Sequence, residues 1–268
     1  MHIVVCVKQI PNPEVSSNMF TLDEAAKQPA SAPGMALVMS PFDEQAVEAA
    51  LRIRDTLGEA VKTTVMSLGP DSAREVIKHG LALGADEGVL LCDPAFEGAD
   101  SYTTALTLTE AIKKLGAYDL ILTGRQAADW DVGVVGSGIA ELLGIPVITF
   151  AKDVQVMDSV VRVERVLQDG FETIEASLPA VVTISNELGE PRYPNLRQVM
   201  KASRKRPLVW AAADLGLDTS QVGAAGARLA LEQLFIPESE SQCEFIRGDS
   251  SQEIAANLVG LLQATKVL

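Results

Sequence analysis

Short runs rich in β-branched residues alternate with amphipathic helical patterns over the first 150 residues of this chain. Such runs, apolar throughout and joined by helices, predict an α/β fold with a doubly wound, mostly parallel sheet. The predicted strands are Ile3–Val7, Thr63–Ser67, Gly88–Leu91, Asp119–Leu122 and Val147–Phe150. The predicted helices are Phe42–Leu57, with Ser40 as its N-cap, Asp71–Leu83, Tyr102–Leu115 and Val135–Leu143.

The pattern changes from residue 151 onward. Alternating apolar and polar residues predict an added antiparallel hairpin region beside the main sheet, with strands Val154–Met157, Val160–Leu167 and Phe171–Ala176. The apolar run Ala180–Ile184 then predicts a buried strand. After Pro207 the chain is rich in Ala and Gly, and only Gln252–Gln263 has a firm helical stripe. We therefore predict one domain over residues 1–206 and an extended C-terminal arm over 207–268. The long polar connection Asn12–Gly34 predicts a hairpin or a binding loop.

Composition narrows the classes of function. The formal net charge of −14 argues against a nucleic-acid partner. No apolar run is long enough to span a membrane, and the first residues enter a strand pattern without a cleavage site, so we expect a cytoplasmic protein that is not membrane-spanning. Scattered cysteines at positions 6, 92 and 243 fit a reducing compartment.

The side chains that usually carry catalysis are sparse. The only histidines, His2 and His79, are isolated, and no nucleophile elbow or zinc-protease motif occurs. Three scattered cysteines and two histidines offer few ligands for a metal, so we expect no metal site and no catalytic residue. The chain is therefore predicted to hold a cofactor that performs the chemistry, and whether it is itself an enzyme stays open.

A glycine-rich segment, Leu122–Gly136, lies between a predicted strand and a predicted helix. Such a turn offers free backbone N–H groups and the positive end of a helix dipole to a phosphate. It lacks the Lys-Ser/Thr pair of a P-loop, which argues against a kinase or ATPase. On these residues alone, nucleotide binding and an ordinary strand-to-helix turn remain equal alternatives.

That segment and three further blocks, in the same order, resemble the electron transfer flavoprotein beta subunit. The further blocks are Ile3–Ile10, Ser40–Leu51, and Val163–Ile174 with the adjoining Leu178–Ile184, followed at once by Asn186–Ala202. The resemblance covers residues 1–206, with a looser fit beyond. It implies an adenine-nucleotide alpha-hydrolase-like fold and makes residues 1–206 a nucleotide-binding domain.

The resemblance also implies a nucleotide site at the carboxyl ends of the strands. Cys6 and Leu68 would be apolar walls for the adenine, and Phe42 would be either a core aromatic or a wall near the flavin. The implied cofactor-binding residues are Cys6, Ser40, Pro41, Phe42, Asp43, Leu68, Gly124, Arg125, Gln126, Ala127, Ala128, Asp129, Asp131, Val132, Gly133, Val134 and Val135.

The identity of the nucleotide is left open by two conflicting features. AMP-binding members of the family show Asn-Gln-Thr where this chain has Gly133-Val134-Val135, and electron-bifurcating members show Gly-Asp-Thr-Ala-Gln-Val-Gly where it has Trp130–Gly136. The loop thus departs from both branches, and backbone donors must replace side-chain phosphate ligands here. The segment Ala95–Thr104 instead resembles the electron-bifurcating branch, which binds a second FAD and oxidises NADH. Trp130 stands where the family has Gly and is bulky enough to reshape the pocket. We favour AMP as the nucleotide, with a second FAD as the alternative.

Six Lys or Arg and no acidic residue lie between Arg192 and Arg206. This run is typical of a solvated helix end. The resemblance instead identifies residues 190–201 as a partner-recognition loop, with Leu196 as an apolar anchor that enters a pocket of a dehydrogenase. The residues implied to bind this partner are Tyr193, Leu196, Arg197 and Lys201. The resemblance further implies an alpha subunit that holds most of the FAD and is wrapped by the arm. Electrons would pass from acyl-CoA-type dehydrogenases to a membrane-bound quinone oxidoreductase. A stand-alone nucleotide-binding regulatory protein is the alternative of another class.

Overall fold

A computed structural model describes residues 1–15, 20–23, 27–31, 35–58, 60–237 and 243–268. Its main feature is a nine-stranded sheet with the order β11-β10-β9-β12-β8-β1-β6-β7-β13. These strands are β1 (His2–Cys6), β6 (Lys62–Leu68), β7 (Glu87–Leu91), β8 (Leu120–Gly124), β9 (Val147–Met157), β10 (Val160–Leu167), β11 (Gly170–Ser177), β12 (Ala180–Ile184) and β13 (Leu208–Trp210). Two small antiparallel pairs join β2 (Gln9–Pro11) to β5 (Leu37–Met39) and β3 (Phe20–Asp23) to β4 (Gln28–Ser31).

Helices cover both faces of the central strands. The helices of the described chain are α1 (Pro41–Leu57), α2 (Arg74–Leu83), α3 (Ser101–Leu115), α4 (Val135–Leu143), α5 (Leu196–Arg204), α6 (Gly223–Gly226) and α7 (Ser251–Ala264), and α1 to α4 are the ones that pack on the sheet. One core cluster contains residues of α1 and α2 with Ile3 and Val5 of β1. A second contains residues of α3 and α4 with Val4 of the same strand. Because successive residues of β1 enter opposite clusters, the predicted doubly wound architecture is confirmed.

Strand β9 differs from its prediction as two strands, Val147–Phe150 and Val154–Met157. It is one strand of 11 residues that pairs in parallel with β12 and then antiparallel with β10. The register against β12 shifts between Val182 and Ile184, and Phe150 lies there with φ of 61°. The extra residue breaks the alternation without ending the strand. The hairpin region is therefore the edge of the main sheet itself.

One helix begins later than predicted, and one long connection contains the hairpin that was predicted as one of its two alternatives. Residues 71–73 form a 3₁₀ turn, so α2 begins at Arg74 instead of Asp71. The connection Asn12–Gly34 contains the β3–β4 hairpin, while its residues 16–19, 24–26 and 32–34 lie outside the described part of the chain.

The C-terminal segment is packed against the domain over its first part only. Strand β13 pairs with β7, and Ala212, Leu215 and Val222 are buried in the second core cluster. From residue 229 onward the described side chains are exposed or half-buried, including those of α7. Among the described residues, no helix is long and apolar enough to cross a membrane. The boundary predicted at residue 206 stays a prediction.

Candidate functional site

The carboxyl ends of β1, β6 and β8 meet at one edge of the sheet. Cys6 aligns with Met66 of β6 and with Thr123 of β8, while Leu68 and Gly124 end those two strands. The start of α1 reaches the same edge, because Asp43 accepts hydrogen bonds from the residues that follow β1 and end β8. The fold thus gathers the predicted site residues that are far apart in the chain.

Asp43 joins these two strand ends. Its Oδ2 accepts from the Lys8 N–H at 2.8 Å, and its Oδ1 accepts from the Gly124 N–H at 3.0 Å. Burial raises the pKa of Asp43 to about 7 against these hydrogen bonds, which favour the charged form. Burial, and next the Asp43 charge, raise the pKa of Cys6 to about 12, which keeps this buried thiol neutral.

Gly124 stands where no other residue fits. A Cβ atom on Gly124 would lie 2.5 Å from Asp43 Oδ1 and 2.7 Å from Phe42 Cβ. This close approach of strand β8 to the first turn of α1 therefore depends on the absence of a side chain.

Both acidic side chains of the loop between β8 and α4 have partners, one after β1 and one within the loop. Lys8 Nζ lies 2.6 Å from Asp129 Oδ2, and Gln126 Nε2 donates to Asp131 Oδ1 at 2.7 Å. Asp131 and Gly133 both have positive φ, at 51° and 68°. The loop therefore turns sharply at these two residues. The carboxylates of Asp129 and Asp131 both have side-chain partners.

Helix α4 begins directly after this loop. Its N-cap position is Val134, which has no side chain to accept the N–H groups of the first turn. No side-chain cap at Val134 therefore competes with an anionic acceptor for this positive end of the helix dipole. Trp130, Val132 and Val134 are exposed beside it and form an apolar rim.

Arg125 lies between two aromatic rings. Its guanidinium carbon is 5.2 Å from the centroid of Phe42 and 5.5 Å from that of Phe150. Its Nη1 donates to Ser185 Oγ at 3.3 Å, and Ser185 Oγ in turn donates to Glu187 Oε2. The hydrogen bond from Ser185 holds the pKa of Glu187 below its usual range, with a smaller contribution from the Arg125 charge.

Sequence reasoning missed Phe150, Ser185 and Glu187 as neighbours of the site. Phe150 reaches Arg125 from the β9 bulge, where its N–H donates to Thr183 Oγ1 at 3.1 Å. The polar pair after β12, a strand adjacent to β8, was a signal that could have been used. The bulge had no such signal. Phe42 is half-buried against Arg125 and belongs to neither core cluster.

Ser40 occupies the predicted N-cap position of α1, but its hydroxyl makes no capping hydrogen bond. Its carbonyl accepts from the N–H groups of Asp43 and Glu44 instead. The hydroxyl is buried and unpartnered within the described structure, and the side-chain capping role expected of Ser40 is wrong.

The basic run is divided by the fold. Arg192 turns back to α1, where its Nε lies 2.7 Å from Glu48 Oε2 and its Nη2 lies 2.7 Å from Asp55 Oδ2. Lys205 Nζ donates to the carbonyls of Ala85 and Asp86. Two of the six cations are therefore structural.

The remaining part of the run forms an exposed basic face. Tyr193 is 90% exposed and Leu196, the first residue of α5, is 76% exposed. A shallow depression beside them is lined by Leu196, Arg197, Met200, Lys201 and Arg204. The four predicted partner-binding residues thus lie on or next to one surface.

The histidines have structural partners. His2 Nδ1 lies 2.8 Å from the Ala117 carbonyl and its Nε2 lies 2.8 Å from Thr64 Oγ1, while His79 Nε2 lies 2.8 Å from Glu44 Oε1. Across the described ranges, no group of three or more His, Cys, Asp or Glu side chains is placed to hold a metal ion.

Comparisons with known proteins agree with this architecture. Residues 34–215 match the electron transfer flavoprotein domain family. The chain is 36% identical over 268 residues to the caffeyl-CoA reductase-Etf complex subunit CarD of Acetobacterium woodii, with both chains covered in full. It is 37% identical to the electron transfer flavoprotein subunit beta of Megasphaera elsdenii, again over both full lengths. Protein FixA of Azorhizobium caulinodans is 32% identical over 90% of this chain and 86% of its own. The chain belongs to the electron transfer flavoprotein family, as a beta subunit.

Proposed function

We propose that this chain binds an adenine nucleotide at the edge formed by β1, β6 and β8 and works as one half of a flavin-containing electron carrier. The observation that carries the proposal is the convergence of Cys6, Leu68 and Asp43 with the loop that leads into α4. Apolar walls suit the adenine ring, and an uncapped helix start suits a phosphate.

AMP is the nucleotide that the loop supports best. Phosphate recognition here relies on the backbone, because Asp129 and Asp131 are partnered and repel anions, and Arg125 is held between two rings. The first turn of one helix provides donors for a single phosphate group. A second FAD remains the other candidate, favoured by the likeness of residues 95–104 to the bifurcating branch.

The exposed C-terminal arm supports an obligate protein partner. Leu229, Phe235, Ile236 and Phe245 are all exposed, and α7 has no buried residue. Apolar side chains so concentrated need a covering surface. We assign that surface to an alpha subunit that holds the redox FAD. Acyl-CoA-type dehydrogenases as donors, a membrane-bound quinone oxidoreductase as acceptor, and a cytoplasmic location complete the proposal.

Nucleotide analysis of the copurified complex tests these assignments. The chain would be coexpressed with its alpha subunit, and the nucleotides released by denaturation would be identified by chromatography. One FAD and one AMP per heterodimer is the expected result. Two FAD without AMP would replace AMP by the second FAD. A flavin-free monomer or homodimer that retains a nucleotide would overturn the electron-carrier assignment in favour of a stand-alone regulatory protein.

A further inference from the structure

Asp100 uses its two carboxylate oxygens for two different elements. Oδ1 accepts from the Thr103 N–H at 2.8 Å, and the Asp100 N–H donates to Thr103 Oγ1 at 3.0 Å, which together form a capping box at the start of α3. Oδ2 accepts from the N–H groups of Arg228 and Leu229 at 2.7 and 3.0 Å. One side chain thus fixes a helix start to a segment 128 residues away in the sequence.

The contacts around Asp100 are close-fitting. Gly223 has φ of 55°, and a Cβ atom there would lie 2.1 Å from the Ala95 carbonyl oxygen. The Ala224 N–H donates to the Glu97 carbonyl at 2.8 Å. The Arg228 guanidinium carbon lies 3.4 Å from the ring centroid of Tyr102. The segment around residues 223–229 therefore fits against the loop before α3 through backbone, carboxylate and ring contacts together.

A second aspartate of the same loop holds the other end of this segment. Asp93 Oδ1 accepts from the Ala95 N–H at 2.9 Å, and its Oδ2 accepts from the Ala212 N–H at 3.0 Å. We name residues 212–229 the arm root. It is fixed at both ends to the loop that follows β7, and beyond it the described side chains are exposed or half-buried.

Electrostatics agree with a structural role for the Asp100 charge. Burial acts to raise the pKa of this carboxyl, yet the hydrogen bonds from Thr103, Arg228 and Leu229 hold it below the usual range. The ionised form is the one that accepts all three N–H groups.

We propose that Asp100 is a positioning residue for subunit assembly, because it fixes the point at which the arm leaves the domain toward the alpha subunit. The proposal rests on the proposed function of the arm as the segment that binds that subunit. We expect the partner surface to be apolar, since Leu229 lies at the fixed point and the exposed Phe235 and Ile236 follow it in the arm.

Asp100→Asn separates the two roles of the carboxylate. Asparagine keeps an oxygen for the Thr103 N–H and remains a good N-cap, whereas its NH₂ group faces the two N–H groups of the arm root. The first measurement uses the isolated chain and follows tryptic cleavage after Arg228 by mass spectrometry. We expect cleavage at least about fivefold faster than in the parent chain, since two hydrogen bonds to a charged acceptor are lost.

The second measurement is assembly with the alpha subunit. We expect Asp100→Asn to weaken heterodimer formation about tenfold in dissociation constant, because the arm must be ordered during binding. Asp218→Asn is the matched control, since Asp218 also caps a short 3₁₀ turn, Thr219–Gln221, but its hydrogen bonds are local, to Ser220 and Gln221. If Asp100→Asn fails to fold, Tyr102→Leu takes its place. This variant removes the ring under Arg228, leaves the capping box intact and should accelerate the same cleavage.

A chain truncated after Leu229 separates the function of the arm in binding the alpha subunit from the anchoring role of Asp100. If the truncated chain binds the alpha subunit as well as the parent does, the proposed function of the arm is wrong. If truncation abolishes binding while Asp100→Asn assembles and is cleaved at the parent rate, the anchoring role of Asp100 is wrong. Faster cleavage with weaker assembly in Asp100→Asn, and neither change in Asp218→Asn, supports the role.

Discussion

Asp43 is a buried acid whose ionisation the fold opposes. Its carboxyl group is buried between the ends of β1 and β8, and burial raises its pKa from 3.8 to about 7. The folded chain therefore binds more protons at this group than the unfolded chain does between those two values. The contribution of Asp43 to the free energy of unfolding is largest below pH 4 and is lost as the pH rises toward 7.

Asp43→Asn should remove this pH dependence. The difference in unfolding free energy between parent and variant should fall as the pH is raised from 4 to 7, by at most about 4 kcal/mol. Denaturant unfolding at several pH values measures it. Asp71→Asn, at an exposed carboxylate paired with Arg74, is the control for a substitution outside the site. A parent-minus-variant difference that stays constant over this range would contradict the buried-acid interpretation.

At the scale of elements, the contact of β8 with α1 determines the site geometry. Gly124→Ala places a Cβ atom 2.5 Å from Asp43 Oδ1 and 2.9 Å from the backbone carbonyl carbon of Phe42. Because moving backbone atoms to relieve this contact costs energy, we expect the free energy of unfolding to drop by about 1–3 kcal/mol.

Thermal unfolding checks this prediction against Gly260→Ala. Gly260 lies in the exposed helix α7, and a Cβ atom there meets nothing within 4 Å. That control should be neutral or slightly stabilising, because alanine favours a helix over glycine. Equal stability of the two variants would show that α1 and β8 are less closely packed than described.

The elements that the sequence predicts well are those determined by local pattern. Buried strands such as Ala180–Ile184 and the helix Val135–Leu143 have the predicted bounds, because their apolar periodicity agrees with their burial. The β9 strand could not be predicted as one element, since the bulge at Phe150 depends on pairing with two different neighbours.

The sequence predicts which strand ends form the candidate site, but it does not predict the polar contacts made there. Position at the carboxyl end of a parallel strand follows from topology, and this brings Cys6, Leu68 and Gly124 together. The pairing of Arg192 with Glu48 across 144 residues has no local pattern. The hydroxyl of Ser40 likewise has the expected position without the expected bond.

At the scale of the whole molecule, we propose that the exposed basic face on α5 contacts the dehydrogenase that donates electrons. Leu196→Ala should leave the fold intact, because the side chain is 76% exposed and such changes fall within about 0.5 kcal/mol. Docking of the dehydrogenase should weaken by about 1–3 kcal/mol, the range for truncation of an interface anchor.

Dehydrogenase-dependent flavin reduction at subsaturating protein measures this docking. Leu57→Ala changes another exposed leucine, at the end of α1, and should leave the rate unchanged. Added salt should slow reduction of the parent by screening Arg197 and Lys201. A parent-like rate for Leu196→Ala would show that the basic face is only a solvated helix surface and has no role in docking.

The arm root also has a kinetic consequence. The arm is tied to the domain at Leu229, whose N–H donates to Asp100, and at Leu231, whose carbonyl accepts from Lys27 Nζ. A partner that contacts both the domain and the arm therefore binds the second of them intramolecularly. A short tether gives such a second contact an effective concentration in the millimolar range. Release then requires both contacts to open at once, and either one alone re-forms before the partner diffuses away. Subunit exchange should consequently be much slower than the strength of each contact alone would suggest.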